Sequence, residues 1–254
     1  MERNLSSSAV HLHRQIPHAK VSETGDVVIA DGGVADSAFN SLTLARFADA
    51  APDKHIEDAL ARVAATGRPY SWWIGPLSTP ADLPARLAAA GLEPAGAEPV
   101  MFRLLQDLPA CADPDGLEIR QVASRRQVED FAAVIAENWD PPSPPVREFY
   151  RAAAPAILAA GCASRLFVGY LQGRPVSTAE LHVAAGVAGI YNVVTSPAFR
   201  RRGYGSALTL ASLHAAQRAG LSTAVLIASP EGEPVYRGLG FETCGRIGLV
   251  EITP

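Results

Sequence analysis

The sequence predicts an α/β protein, and three observations carry that expectation. In the C-terminal half, short β-rich apolar runs alternate with turn formers: RLFVGYL over Arg165–Leu171, PVSTAELHV over Pro175–Val183, and the stretch Val187–Thr195. Leu208, Ala211, Ala215 and Ala219 then recur at helical spacing before Gly220, which suits a helix stop. After that glycine, AVLIA over Ala224–Ala228 is the continuous apolar run of a strand buried on both faces.

Each element follows from local chemistry. The Ser-rich start, with His11 and His13, reads as mobile. Ile56, Leu60 and Val63 mark a helix, and YSWWI over Tyr70–Ile74 a strand. Asp82–Ala90 reads as a second helix, with Asp82 the N-cap before Pro84 and Gly91 the C-cap. Val100–Leu105 is an apolar tail. Residues 107–116 are rich in turn formers and read as a linker between an amino-terminal domain, 1–106, and a carboxy-terminal one, 117–254. Leu117–Arg120 starts a fresh strand, and Gln127–Trp139 is an amphipathic helix. The proline-loaded loop Trp139–Pro145 is stiff, and Phe149 and Tyr150 follow it on a helix. Gln172-Gly173 turns one strand into the next, as does the segment near Gly186. Pro234–Phe241 reads as a short helix that carries Tyr236 and closes on Gly240-Phe241.

Composition narrows the function. A chain of 254 residues with 48% hydrophobic content fills one large or two small cores. The formal net charge of −4 gives no global support for a nucleic-acid partner. No apolar run has the length of a membrane span, and the start carries no signal-peptide core, so a cytoplasmic protein is expected. The cysteines Cys111, Cys162 and Cys244 are odd in number and far apart, which argues for a reducing compartment and against disulfides or a zinc cluster. The histidines show no metal-ligand spacing, so no metal is expected. His214 sits on an ordinary helix face.

The stretch from Val193 to Leu208 carries the chemistry. An apolar strand ends at Ser196-Pro197, and a basic, glycine-punctuated loop opens directly into a helix. Glycines let backbone approach an anion, the arginines supply charge, and the free N–H groups of the helix start point at the ligand. Leu208 stands where a dinucleotide fingerprint needs a small residue, and the Gly-Lys-Ser/Thr of a Walker loop is absent. Solvated arginines at a plain helix start are the alternative for the loop alone. The spacing Arg200-x-x-Gly203-x-Gly205 resembles the pyrophosphate loop of the GNAT N-acetyltransferases, and Pro234–Phe241 resembles their second signature. The element order from Leu117 to Ile252 is also similar to theirs.

That resemblance implies a mixed-sheet GNAT fold and acetyl-CoA as co-substrate. The pyrophosphate would lie on Arg200, Arg201, Arg202, Gly203, Tyr204, Gly205 and Ser206. The pantetheine arm would pair with the splayed strand at Val193, Val194 and Thr195, with the Val193 N–H as oxyanion donor. Tyr236 would be the general acid beside the CoA sulfur; a core tyrosine with a satisfied hydroxyl is the alternative. In the first half, aligning Gly91 with Gly240 puts Leu87 where Tyr236 stands, and no R-x-x-G-x-G precedes it. Together with Trp72-Trp73-x-Gly75-Pro76, this resembles a tandem GNAT chain whose amino-terminal half has lost its cofactor loop; an unrelated α/β domain with a coincidental helix-Gly-strand pattern is the alternative.

Acyl transfer to an amine also needs a base. Glu180 and His182 lie two apart on one strand and face the same side, so either is a candidate if that side lines the acceptor cleft. A solvent face shared with Ser177 is the alternative. Asn192 cannot be a base but can orient an acceptor. The Trp139–Pro145 loop, with Phe149 and Tyr150, either lines the acceptor site or is a packed helix end. The expected activity is CoA-dependent acetyl transfer to an amine of a small molecule or protein, directly within a ternary complex, by a monomer or homodimer with no nucleic-acid or membrane partner. A non-catalytic module that holds CoA or acyl-CoA is the alternative.

Overall fold

The computed structural model describes residues 1–48, 50–110 and 114–254. Cys111 and the middle of the 107–116 linker lie outside the described residues. The chain forms two compact units, one of Glu2–Val100 with Cys244–Pro254 and one of Met101–Thr243. The turn-rich 107–116 suggests two consecutive halves. The units instead divide within one strand at Val100/Met101 and within another at Thr243/Cys244.

The first unit opens with α1 (Glu2–His11), then β1 (Lys20–Glu23), β2 (Val28–Asp31), β3 (Asn40–Thr43), α2 (Pro52–Ala64), β4 (Tyr70–Ile74), α3 (Leu83–Ala89) and the first part of β5 (Pro94–Leu104). The start is an ordered helix, contrary to the mobile segment expected. Its serines are short enough to pack: Ser6 is buried and accepts a hydrogen bond from Thr43 Oγ1 at 2.9 Å, while Glu2 pairs with Arg46 at 3.0 Å. His13, just beyond α1, is also buried, with Nε2 2.7 Å from the Phe39 carbonyl. β1, β2 and β3 form an antiparallel meander, and β3 runs parallel to β4. Asp82 occupies the N-cap position of α3 but makes no cap bond; its carboxylate accepts from Arg86 Nε at 3.0 Å instead.

The second unit contains the end of β5, then β6 (Glu118–Gln121), α4 (Arg125–Ala136), α5 (Pro144–Ile157), β7 (Ser164–Leu171), β8 (Arg174–Ala184), β9 (Val187–Thr195), α6 (Tyr204–Arg218), β10 (Thr223–Ile227), α7 (Glu233–Gly238) and the start of β11 (Glu242–Ile252). β6 to β9 pair antiparallel in sequence order, and β9 runs parallel to β10. A capping box starts α4: the Gln127 N–H donates to Ser124 Oγ, and Gln127 Oε1 accepts from the Ala123 N–H. Met101, Leu105, Leu181, Leu208, Leu213 and Phe241 belong to this unit's core.

The faint repeat is a structural one. Each half of the chain runs meander, helix, parallel strand, short helix, glycine and long strand. The two short helices also close alike. Gly91 has φ +83° and Gly240 φ +79°, conformations that favour glycine. The Leu92 N–H donates to the Leu87 carbonyl, and the Phe241 N–H to the Tyr236 carbonyl. Leu87 thus fills the capping position of Tyr236.

The final strand of each half is shared between units. β11 completes the first unit by pairing with β4, from Gly248 opposite Ile74 to Ile252 opposite Tyr70, and buries Val250 and Ile252 beside Trp72. Each such side chain contributes about 1.5–3 kcal/mol, against a typical total of about 5–15. Deleting residues 244–254 should therefore remove most of the hydrogen-exchange protection of the Tyr70–Ile74 amides. Unchanged protection would show that β11 is dispensable to that unit.

Candidate active site

The site begins where β9 leaves β10. The two pair at Ala188–Ala224 and Gly189–Val225. Toward its C-terminal end, β9 carries a bulge against β8: Thr178 faces Val194 and Glu180 faces Tyr191, so two residues, Asn192 and Val193, oppose Ala179 alone. Asn192 adopts φ +49°, which asparagine tolerates better than most side chains. On the β8 side, the Ser196 N–H donates to the Val176 carbonyl, and the carbonyls of Val194 and Asn192 accept from Ser177 Oγ and Thr178 Oγ1. Backbone groups alternate along a strand, so those of Val193 and Thr195 turn to the β10 side, beyond the last paired residue.

The glycine-punctuated loop follows. Gly203 is the N-cap of α6 with φ +80° and offers no side-chain cap. The first helical bond runs from the Ala207 N–H to the Gly203 carbonyl, which leaves the N–H groups of Tyr204, Gly205 and Ser206 without an intrahelical acceptor. A Cβ at Gly205 would lie 3.8 Å from Val193 Cγ1 and 3.9 Å from Thr195 Oγ1. The uncapped helix start therefore lies directly against β9 side chains beyond the last residue that β9 pairs with β10. The Tyr204 ring is buried in the core, with its hydroxyl unpartnered among the described residues; its backbone belongs to the loop.

The arginines divide their work. Arg200 is structural as well as charged: Nε donates to the Thr195 carbonyl at 3.2 Å and Nη2 to Asn138 Oδ1 at 2.6 Å. Arg202 stacks on Phe199, and so does Arg174 from β8, at 5.6 and 5.0 Å from the ring centroid. Arg201 takes φ +64°. Asn138 and Arg174 carry no sequence signal, because only the fold brings them to the loop.

Tyr236 stands on α7, edge-on to Phe241 at 5.8 Å, with 9% of its surface exposed. Its hydroxyl makes no hydrogen bond among the described residues, and burial pushes its pKa up to about 12.

Glu180 and His182 do share a face, and the solvent-face alternative is overturned: Ser177, Glu180 and His182 are all buried. They belong to a polar cluster in which Ser164 Oγ donates to Glu180 Oε1 at 2.7 Å and lies 2.9 Å from His182 Nδ1. Asn192 Nδ2 reaches Glu180 Oε2 at 2.8 Å and the Tyr150 hydroxyl at 3.2 Å. Asn192 itself is exposed. Burial raises the Glu180 pKa, and the bonds from Ser164 and Asn192 partly offset that. Tyr150 is held neutral by burial and by the Glu180 charge. Phe149 and Tyr150 are packed side chains of α5, whereas Trp139 is 44% exposed. No group of three or more His, Cys, Asp or Glu side chains able to hold a metal exists among the described residues. None of their helices is long and apolar enough to cross a membrane.

Comparison with known proteins agrees with this geometry. Residues 128–241 match the model of the acetyltransferase (GNAT) family. No curated protein matches. The fold is that of a GCN5-related N-acetyltransferase from Kribbella flavida, at 20% identity over 99% of this chain and 95% of that one, with TM-score 0.74. A GCN5-related N-acetyltransferase from Sphaerobacter thermophilus is similar at 19% identity, over 89% and 79% of the two chains, with TM-score 0.62. A tandem GNAT protein from the clavulanic acid biosynthesis pathway is similar at 16% identity, over 93% and 84%, with TM-score 0.61.

Glu180 gives the cluster a measurable pH signature. Its carboxyl titrates higher in the folded chain than in the unfolded one. The native state then holds more protons between those two pKa values, so this group's contribution falls as pH rises through that window. Glu180→Gln does not titrate. Its melting temperature relative to wild type should rise from pH 4 to pH 8; a flat difference would show that the buried carboxyl is not perturbed.

Proposed function

We propose that this chain, whose residues 128–241 match the model of the acetyltransferase (GNAT) family, is an acetyl-CoA-dependent N-acetyltransferase. The observation that carries the reading is the uncapped start of α6 lying against Val193 and Thr195 of β9, beyond the last residue that β9 pairs with β10. The N–H groups of Tyr204, Gly205 and Ser206 hold the pyrophosphate, with Arg201 and Arg202 adding charge. Val193 and Thr195 hold the pantetheine arm as an added strand would be held, whereas the Val194 backbone faces β8 and takes no part. Acetyl-CoA supplies the thioester; the chain supplies its alignment with the amine.

The Val193 N–H donates to the thioester carbonyl oxygen as negative charge develops there. The amine forms the new C–N bond, the C–S bond breaks, and the Tyr236 hydroxyl donates to the departing sulfur. Glu180 is the better base of the two candidates. It stands one hydrogen bond from the exposed Asn192, whereas His182 lies behind Ser164. One water beside Asn192 connects the amine proton to Glu180 Oε2. The acceptor is an amine of a small molecule or protein, approached past Asn192 and the Trp139 loop.

The first unit has the repeat but not the loop. At the start of α2, Pro52 lacks an N–H, and Asp53 places a carboxylate in the first turn, where it pairs with Arg86. Both oppose a phosphate. One CoA per chain is expected in calorimetry, and a second site would overturn this assignment. Gly203→Asp should abolish most CoA binding in a folded protein, through a strained φ and a new negative charge; unchanged affinity would sink the cofactor site.

Tyr236→Phe removes one hydroxyl and leaves the ring packed on Phe241. Its kcat should fall about a hundredfold or more, with acetyl-CoA affinity retained. Because Tyr236 titrates near 12, no loss of rate below pH 11 should trace to it. Full activity of Tyr236→Phe would make the residue structural. Thiol release with a panel of amines separates the enzyme from a chain that only holds CoA.

A further inference from the structure

The exposed end of the Glu180 cluster is a single side-chain amide. Asn192 has two N–H donors and one carbonyl acceptor. Both donors are directed inward, one to Glu180 Oε2 at 2.8 Å and the other to the Tyr150 hydroxyl oxygen at 3.2 Å. This orientation is fixed by charge. Glu180 Oε2 is a carboxylate oxygen and demands a donor, and its other oxygen is already satisfied by the Ser164 hydroxyl. A flipped amide would set Asn192 Oδ1 against that carboxylate, inside a region where polar contacts are strong because water is excluded. The oxygen of Asn192 is therefore the atom left facing outward, on a residue that is exposed while its partners Glu180 and Tyr150 are buried.

The backbone of the same residue forms the β9 bulge, directly before Val193. We infer that Asn192 Oδ1 accepts an N–H of the incoming amine, with Glu180 and Tyr150 as positioning residues that hold the amide in the accepting orientation. This inference rests on the N-acetyltransferase reading and deepens it: the site selects an acceptor that can donate a hydrogen bond at its nucleophilic nitrogen. An amine so held has one N–H committed to Oδ1 and its lone pair directed elsewhere, toward the carbon beside the Val193 N–H. The cluster behind Asn192 anchors its side chain through both donors.

The test uses the full chain. Asn192→Gly keeps the positive φ without strain and deletes the amide. Its kcat/KM for an amine substrate should fall roughly 10- to 100-fold, the range for losing one strong hydrogen bond. The dissociation constant of CoA by calorimetry should stay within twofold. Tyr150→Phe removes one anchor and should lower amine kcat/KM in the same direction by a smaller factor; it decides the matter if Asn192→Gly does not fold. A structural signature accompanies the kinetics. In the wild type, both Asn192 side-chain N–H protons should exchange slowly with solvent in NMR, despite the exposure of the residue, and Tyr150→Phe should speed that exchange.

Amine kcat/KM within twofold of wild type in Asn192→Gly would overturn the inference. So would fast exchange of both protons, or a loss of CoA affinity as large as the loss in amine kcat/KM, which would make Asn192 a determinant of the bulge alone. Wild-type protein that binds CoA yet releases no thiol with any amine defeats the enzyme reading itself, and this inference with it.

Discussion

A parallel strand pair satisfies its backbone groups along its whole length, and a strand that leaves its partner exposes groups that something else must satisfy. In this chain β9 leaves β10 after Gly189. The bulge at Asn192 turns the remaining backbone, and the Val193 N–H and C=O and the Thr195 N–H face a gap instead of a strand. Everything else in the site is arranged around that gap. α6 begins against it, with Gly205 beside the Val193 and Thr195 side chains. Arg200 ties the intervening loop back to the Thr195 carbonyl at the strand's end.

The two halves of the chain share one plan and differ in chemistry at a few positions. Both build a meander, a crossover helix and a parallel strand, and both close a short helix on a glycine near φ +80°. What differs is chemistry at a few positions. Where the second half has an uncapped Gly203, the first has Ala51-Pro52-Asp53, one donor fewer and one negative charge more. Where the second half has Tyr236, the first has Leu87, fully buried. The capping geometry is retained and the reactive hydroxyl is not.

Local chemistry made much of this legible. The loop, the Tyr236 helix and the strands of the second half announce themselves through glycine spacing and apolar periodicity, and the structure places them as that pattern requires. β1, β2 and β3 were not legible, because strands of four residues carry too short a period to read. α1 was hidden by serines that pack rather than solvate. The polar cluster was half visible: the spacing of Glu180 and His182 gave a shared face, but burial depends on what covers that face. Ser164 and Tyr150 come from other elements, and their contacts with Glu180 and Asn192 exist only through the register of β7, β8 and β9 and the packing of α5. The linker hid the sharing of β5 and β11 between units for the same reason: turn formers mark where a chain bends, not where its strands pair.

The environment of Tyr236 constrains how it can act. In the proposed reaction, a phenol at about 12 would face a leaving thiolate whose conjugate acid lies near the ordinary thiol value of about 8.5. Complete proton transfer is then uphill by roughly 3.5 units, on the order of 5 kcal/mol at 1.36 kcal/mol per unit. A hydrogen bond from the neutral hydroxyl avoids that cost and still stabilises the developing negative charge, more so in a region that excludes water. Burial thus favours a tyrosine that keeps its proton throughout and donates to the sulfur, with the thiolate protonated later in solvent. The same burial that makes Glu180 a stronger base makes Tyr236 a weaker acid. Under the proposed mechanism the base would benefit, because it would take a proton from an amine. The tyrosine would lose nothing essential, because a dipole held beside the sulfur is all that the departing thiolate would require.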